Sequence, residues 1–318
     1  PYVFREPEKV MENILHVTEH LKATIEKENL CPDRRVLQMI KTKAGGIMHK
    51  DPDGSYWRAY YFIDNATPYN SVKKPEHFYE VGRIFGEFQK LLCDYPVEDL
   101  HETIPDFHNT EKRYEALEAA VEKDPCGRAG EVEKELQWLM QVRAEACRLC
   151  RMQQEGLLPL RVTHNDTKVN NVLFDKKDHR ALVVIDLDTV MPGLAGNDFG
   201  DAIRSITNTA AEDEKDLAKV GCDLDLFRAF AEGFLEPMAK AFTPNEMDTF
   251  GISCFALTVE LAVRFLTDYL LGDPYFYCAY AGHNLVRTRC QIALAQDMQR
   301  KMGEMEKIIA ACAEKYRG

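Results

Sequence analysis

The chain has 318 residues, 45% of them hydrophobic, and a formal net charge of −12. At that size it can bury a large core and divides more naturally into two lobes than one. The acidic balance excludes nucleic acid or an anionic membrane as main partner, since both demand a basic face, and the most apolar run, Phe250 to Leu271, is broken by Glu260, Arg264 and Asp268.

Val10, Ile14, Val17, Leu21 and Ile25 recur at three- and four-residue spacing and predict one amphipathic helix from Glu8 to Glu28. Arg35 to Lys41 and Tyr56 to Ile63 alternate like strands, joined by turns at Gly45-Gly46 and Asp51-Pro-Asp-Gly54. Asp64 to Pro75 is polar and turn-forming. It reads as a hinge between a small N-terminal lobe, residues 1–67, and a large, mainly helical lobe, residues 68–318. The large lobe is expected to hold helices at Glu76–Leu92, Asn109–Lys123 (Asn109 as cap), Glu131–Glu155, Asp213–Phe242, Asn245–Leu271 and His283–Tyr316. A hairpin interrupts them, with strands Val172–Phe174 and Ala181–Leu187 around the polar turn Asp175 to Arg180. The fold class is α+β. Ten cysteines without a signal peptide are expected as free thiols of a cytoplasmic protein, and Cys147 and Cys150 have no second pair for a zinc site.

The hairpin carries the chemistry. His164-x-Asp166-x4-Asn171 opens it, Lys168 stands two residues after Asp166, and a Val-Val-Ile strand delivers Asp186 and Asp188 back beside Asn171. Two carboxylates at the end of an apolar strand are costly unless a cation is near. The set suits phosphoryl transfer: Asp166 orients an attacking hydroxyl, Asn171 and Asp186 hold a magnesium ion, and Lys168 reaches a phosphate. Asp198-Phe199-Gly200 spells the tripeptide that carries the magnesium aspartate of protein kinases, but it lies 32 positions after Asp166, beyond Pro192-Gly193. Its expected role is to start a helix over Ala202–Ala210, with a carboxylate at the positive end.

Through THNDTKVNNVLFD, VIDLDTVMPG, NDFGDAIR, LHETIPDFHNT and RFLTDYLLGDPYF, the chain resembles the aminoglycoside phosphotransferase and choline kinase-like family, most of all its N-acetylhexosamine 1-kinases. The resemblance runs from Glu6 onward and implies a protein-kinase-like bilobal fold. By it Asp166 is the catalytic base, Asn171 and Asp186 are magnesium ligands, His164 is a scaffold of the catalytic loop, and ATP is the co-substrate. The implied acceptor is the anomeric hydroxyl of N-acetylglucosamine or N-acetylgalactosamine. The family also places a glycine-containing strand pair and a strand-borne lysine before the first helix, and nothing ahead of Glu8 supplies them; the expectation is a small lobe whose first strands are left out of this sequence. Glu12 or Glu19 is the helix glutamate that would pair that lysine.

Acceptor residues are sought where ionic groups interrupt apolar helices. Glu260, Arg264 and Asp268 share one stripe at spacings of four, and Arg264, Asp268, Tyr269 and Tyr275 could bind a sugar's vicinal hydroxyls and cover its apolar face. His283, Asn284 and Arg287 form a second candidate set, with Asp188 and, more weakly, His108 beside them. A choline- or aminoglycoside-type kinase is the nearest alternative, disfavoured by Arg264 and Arg287, because cationic acceptors need acidic or aromatic boxes. A non-catalytic sugar- or nucleotide-binding protein is the alternative from another class.

Overall fold

The computed structural model describes residues 4–69 and 74–317. Helix α1 (Pro7–Lys27) begins on a proline with Glu8 in its first turn and buries the expected stripe, with Met11 added. Of the two expected strands after it, only the second forms in part. β1 (His49–Lys50) and β2 (Tyr56–Trp57) make a short hairpin over the Asp51–Gly54 turn, whereas Arg35–Lys41 contributes a single bridge, Met39 to Tyr60. Val36 and Leu37 are buried side by side there, which an alternating strand against one face does not allow.

Strand β3 (Ala66–Pro68) lies in the stretch expected to be hinge and pairs antiparallel with Leu173–Asp175, so the connector is tied to the hairpin. Positions 70–73 of that stretch lie outside the described residues. Helix α2 (Pro75–Leu91) packs on a later helix so closely that a Cβ at Gly82 or at Gly233 would collide with the opposing backbone. Helix α3 (Thr110–Lys123) has the expected cap, the Asn109 side chain accepting from Lys112 N. The helix expected from Glu131 to Glu155 is two, α4 (Glu133–Ala146) and α5 (Arg148–Gln154), with Arg151 donating to the Ala144 carbonyl at the break.

β4 (Arg161–Thr163) leads into the catalytic loop. β5 (Val172–Asp175) and β6 (Ala181–Val184) form the predicted hairpin, in a sheet ordered β3-β5-β6, and β7 (Met191–Gly193) returns antiparallel to β4. Helix α6 (Ala195–Ile206) starts seven residues before the expected Ala202, which places Asp198 inside its first turn. The helix expected from Asp213 is shorter: α7 runs Leu224–Met238, capped by Asp223, and residues 207–222 form an irregular strap closed by an Asn208–Cys222 bridge. The acidic run at 212–216 has helix-like composition, but the strap's bridge and the Asp223 cap hold the start of the helix further on.

Helix α8 (Pro244–Leu270), opened by a Thr243–Glu246 capping box, is long and apolar enough to cross a membrane by composition, yet 94% of that window is buried inside the protein. Phe199, Phe230, Phe234 and Phe250 centre one apolar cluster; Tyr114, Leu139, Phe255 and Leu266 belong to the other, and α8 contributes to both. Helix α9 (His283–Arg317) closes the chain. The ten cysteines are free thiols, as expected. Small sheets beside a large helical part are the bilobal kinase-like arrangement the sequence predicts.

Candidate active site

Asp166, Lys168, Asn171 and Asp186 come together at the hairpin. Asn171 donates from Nδ2 to the Asp166 carbonyl (2.8 Å) and to Asp166 Oδ2 (3.1 Å), while Lys168 Nζ stands 2.9 Å from Asp166 Oδ1. Ile185 N donates to the Asn171 carbonyl at 2.8 Å, which fixes the chain on either side of the pair, and Asp186 follows in the left-handed region at φ 60°. That turn ends the strand at Val184 and starts a 3-10 turn at Leu187, so Asp188 does not continue the strand past Asp186 as the sequence predicts. Asp188 instead forms an ion pair with Arg58 of the N-terminal lobe, 2.5 Å apart though not aligned as a hydrogen bond.

Partial burial, then the neighbouring charges of Asp188 and Asp166, push the Asp186 carboxyl above its ordinary value. Three crowded carboxylates favour a cation. Among the described residues no three His, Cys, Asp or Glu side chains form a self-sufficient metal cluster. The Asn171 Oδ1 and the Asp186 carboxylate have no hydrogen-bond partner within that set. Two oxygen donors, one of them charged, fit a hard divalent ion that keeps waters and takes phosphate oxygens for its remaining positions.

Behind this face the loop is clamped. His164 is buried edge-on to Phe85 and Phe88; its Nε2 faces the Ile185 carbonyl at 2.9 Å and its Nδ1 accepts from Asp166 N at 3.3 Å, which assigns the Nε2–H tautomer. Asp198 accepts from His164 N (3.0 Å), Asn165 N (2.7 Å) and Gln89 Nε2 (2.8 Å). Asp201 accepts from Thr167 N at 2.8 Å and pairs with Arg204. Asp198 is therefore structural, as expected, but it holds the backbone of the catalytic loop from within helix α6. The sequence offers Asp201 only as part of a helix start and gives Arg204 no role. Their i, i+3 spacing in NDFGDAIR was the available signal.

The candidate acceptor residues separate into three places. Arg264 lies over the Phe107 and Phe276 rings, 5.4 and 5.5 Å from their centroids, and lines a 530 Å³ cavity with Arg113, Asp268 and Tyr275. It makes no hydrogen bond or ion pair among the described residues. Burial, with Arg113 adding and Glu260 opposing, draws its guanidinium below the ordinary value. Asp268 reaches the same cavity wall, but its carboxylate accepts from Tyr275 N, Phe276 N and Asn284 Nδ2, each at 2.9 Å, so it serves as a staple for the loop after α8. Tyr269, one residue on, turns to Glu131 (2.9 Å) and Arg128 on another side of the helix and does not join Arg264.

His283 stacks on Tyr280 and faces Asp213 at 3.2 Å; Arg287 reaches the Tyr277 carbonyl at 3.1 Å and lies 3.6 Å from Glu212. Both bind the 207–222 strap rather than the Arg264 cavity. Glu12 pairs with His101 at 2.6 Å and Glu19 is exposed.

An Asp–Asn–Asp set on a hairpin, beside a large helical part, is the arrangement expected of a kinase-like phosphotransferase. The model of the APH phosphotransferase enzyme family matches residues 12–231, and the chain belongs to that family. The fold is similar to that of an aminoglycoside phosphotransferase from Alicyclobacillus acidocaldarius: TM-score 0.63, 13% identity, 97% of this chain and 85% of that one covered. A microcompartment-associated aminopropanol kinase gives 0.61 at 14% identity, covering 95% and 84%. A spectinomycin phosphotransferase solved with ADP and spectinomycin gives 0.53 at 11%, covering 89% and 82%. The family is one of kinases acting on small molecules.

Proposed function

We propose that this protein is an ATP- and magnesium-dependent kinase that transfers the γ-phosphoryl group to a sugar hydroxyl, the anomeric hydroxyl of an N-acetylhexosamine. The observation that carries the transfer is the Asn171 side chain bonded to Asp166 next to the charge-crowded Asp186. In this reading the acceptor oxygen attacks the γ-phosphorus, the bond to the β,γ-bridging oxygen breaks, ADP leaves, and the hydroxyl proton passes to Asp166. Asp166 contributes chiefly by positioning that oxygen in line. Asn171 and Asp186 would hold the magnesium, which offsets charge on the phosphate oxygens when bound. Lys168, exposed and tethered to Asp166 in the free protein, moves to the phosphates.

Arg264 supports a neutral acceptor over a cationic one. A guanidinium over two aromatic rings, with no partner among the described residues, repels choline or an aminoglycoside, whereas an acetamido carbonyl or ring hydroxyls supply acceptor atoms for it. Phe107, Phe276 and Tyr275 offer apolar faces for a sugar ring. Arg287 and His283 are assigned to the strap and leave the acceptor set.

The test is turnover of Mg-ATP with N-acetylglucosamine, N-acetylgalactosamine, choline and kanamycin by the wild type and Asp166→Asn. The expected result is product with an N-acetylhexosamine alone and a fall of roughly 10²- to 10⁴-fold in kcat for the variant. Turnover of choline or kanamycin in preference overturns the acceptor, and a near-wild-type variant overturns the role of Asp166.

A further inference from the structure

One polar pair, sought in the sequence among the acceptor residues, lines neither the Arg264 cavity nor the hairpin set. His108, at the entry to α3, stands with Nδ1 2.9 Å from Glu260 Oε1 and Nε2 3.4 Å from the Asn165 carbonyl. The second Glu260 oxygen accepts from Thr110 Oγ1 at 2.8 Å, and the glutamate is 1% exposed in the middle of α8. A carboxylate and a carbonyl both accept, so each ring nitrogen of His108 faces an acceptor. Burial works against the Glu260 charge, but the charge of His108 and its hydrogen bond, with Arg264 and Arg113 beyond, hold this carboxyl below its ordinary value.

What this pair grips gives it meaning. Asn165 occupies the left-handed region, φ 63°, immediately before Asp166. Its N–H is held by Asp198, and its side-chain amide donates to the Thr189 carbonyl at 3.0 Å. The peptide unit joining Asn165 to Asp166 then has two remaining polar groups: its N–H goes to His164 Nδ1, and its C=O faces His108 Nε2. Two imidazoles therefore hold opposite ends of the peptide plane that aims the Asp166 side chain. His164 faces the hairpin, and His108 is anchored to α8.

We infer that His108, held by Glu260, is a positioning residue that orients the Asn165–Asp166 peptide and through it the Asp166 carboxylate. The inference rests on the reading of Asp166 as the group that orients the acceptor hydroxyl. It also joins the cavity to the loop, because Glu260 stands one helical turn before Arg264 on α8 and Phe107, beneath Arg264, packs on the His108 ring at 4.6 Å. An acceptor bound against Arg264 would thus touch the same polar chain that sets the angle of the base.

The experiment uses His108→Ala, His108→Gln and Glu260→Gln in the full chain, with two readouts. The first is steady-state transfer to N-acetylhexosamine. His108→Ala should lower kcat by roughly 10- to 100-fold, the scale of a misplacement of about 1 Å, while KM for Mg-ATP stays within about twofold. His108→Gln, whose amide can still donate to the Asn165 carbonyl, should recover part of that loss. The second readout needs no substrate: amide hydrogen exchange of the 164–168 segment should quicken in His108→Ala while that of α9 does not change. A wild type inactive on the sugar, with exchange altered as expected, sinks the proposed acceptor and keeps the positioning role. An active wild type with His108→Ala within about twofold in kcat, or unchanged exchange at 164–168, overturns the positioning role. Should His108→Ala fail to fold, the Gln variants and Thr110→Val, which removes the other bond to Glu260, decide by the same two readouts.

Discussion

The catalytic loop and the Arg264 cavity are built on opposite plans. In the loop nearly every polar group is answered from within: Asp198 takes two backbone N–H groups, Asp201 a third, and Asn165 is held by both its main chain and its side chain. In the cavity the guanidinium of Arg264 stands over two aromatic rings and has no hydrogen-bond or ion-pair partner among the described residues. Buried polar groups that are fully satisfied rigidify a structure, whereas one left unsatisfied costs stability. The contrast separates scaffold from site. A side chain with all its bonds spent inside the protein shapes the machinery, and on the proposed acceptor role Arg264 keeps its donors for the sugar.

Removing Asp198 should show the scaffold side at full strength. Asp198→Ala leaves the N–H groups of His164 and Asn165 and the Gln89 amide without an acceptor in a fully enclosed place. A loss of about 3–5 kcal/mol in chemical denaturation is expected, the scale of breaking a buried ionic network. A loss under about 1 kcal/mol would mean that the loop holds its shape without this clamp, and the division between scaffold and site would blur.

Arg264 should behave in the opposite way. Arg264→Met removes a half-buried, unpaired cation while keeping a flexible apolar chain between Phe107 and Phe276. The melting temperature should hold or rise, because the cost of burying that charge disappears. KM for the acceptor should rise by roughly 10- to 100-fold, matching the loss of a charge-assisted hydrogen bond of about 1.5–3 kcal/mol, with KM for Mg-ATP little changed. A variant that loses stability and keeps its acceptor KM would move Arg264 into the scaffold.

The same contrast governs what could be read from the sequence. Asp166, Lys168, Asn171 and Asp186 lie within 21 residues on one hairpin, so spacing alone brings them together. The stripe of α1 is equally visible, because local periodicity decides which residues share a face. It does not decide what that face meets. His283 and Arg287 do lie on one face of α9, but the face meets Glu212 and Asp213 of an irregular strap some 70 residues away in sequence. Tyr269 and Asp268 are neighbours on α8 whose side chains leave the helix about 100° apart, toward different walls. Arg58 has no local signal at all, since its partner Asp188 lies 130 positions further along the chain (188 − 58). The His108–Glu260 contact spans 152 positions, and only a folded chain reveals it.

That pair offers the finest test of the contrast, through acid. Glu260 faces His108 and Thr110 from the α3 entry, Arg113 from α3 and Arg264 from its own helix, and its folded-state carboxyl lies below the ordinary value of 4.5. A carboxylate with a depressed folded value contributes stability that is complete above the unfolded value and is lost as pH falls through the folded one. The wild type should therefore hold this contribution above about pH 5 and lose it progressively below the ordinary carboxylate range. Glu260→Gln, which cannot ionise, should start from a lower melting temperature at neutral pH and show a shallower decline in acid. Parallel declines of the two proteins between about pH 6 and pH 3 would show that the Glu260 charge adds nothing to the fold, leaving hydrogen bonding alone to explain how His108 is held.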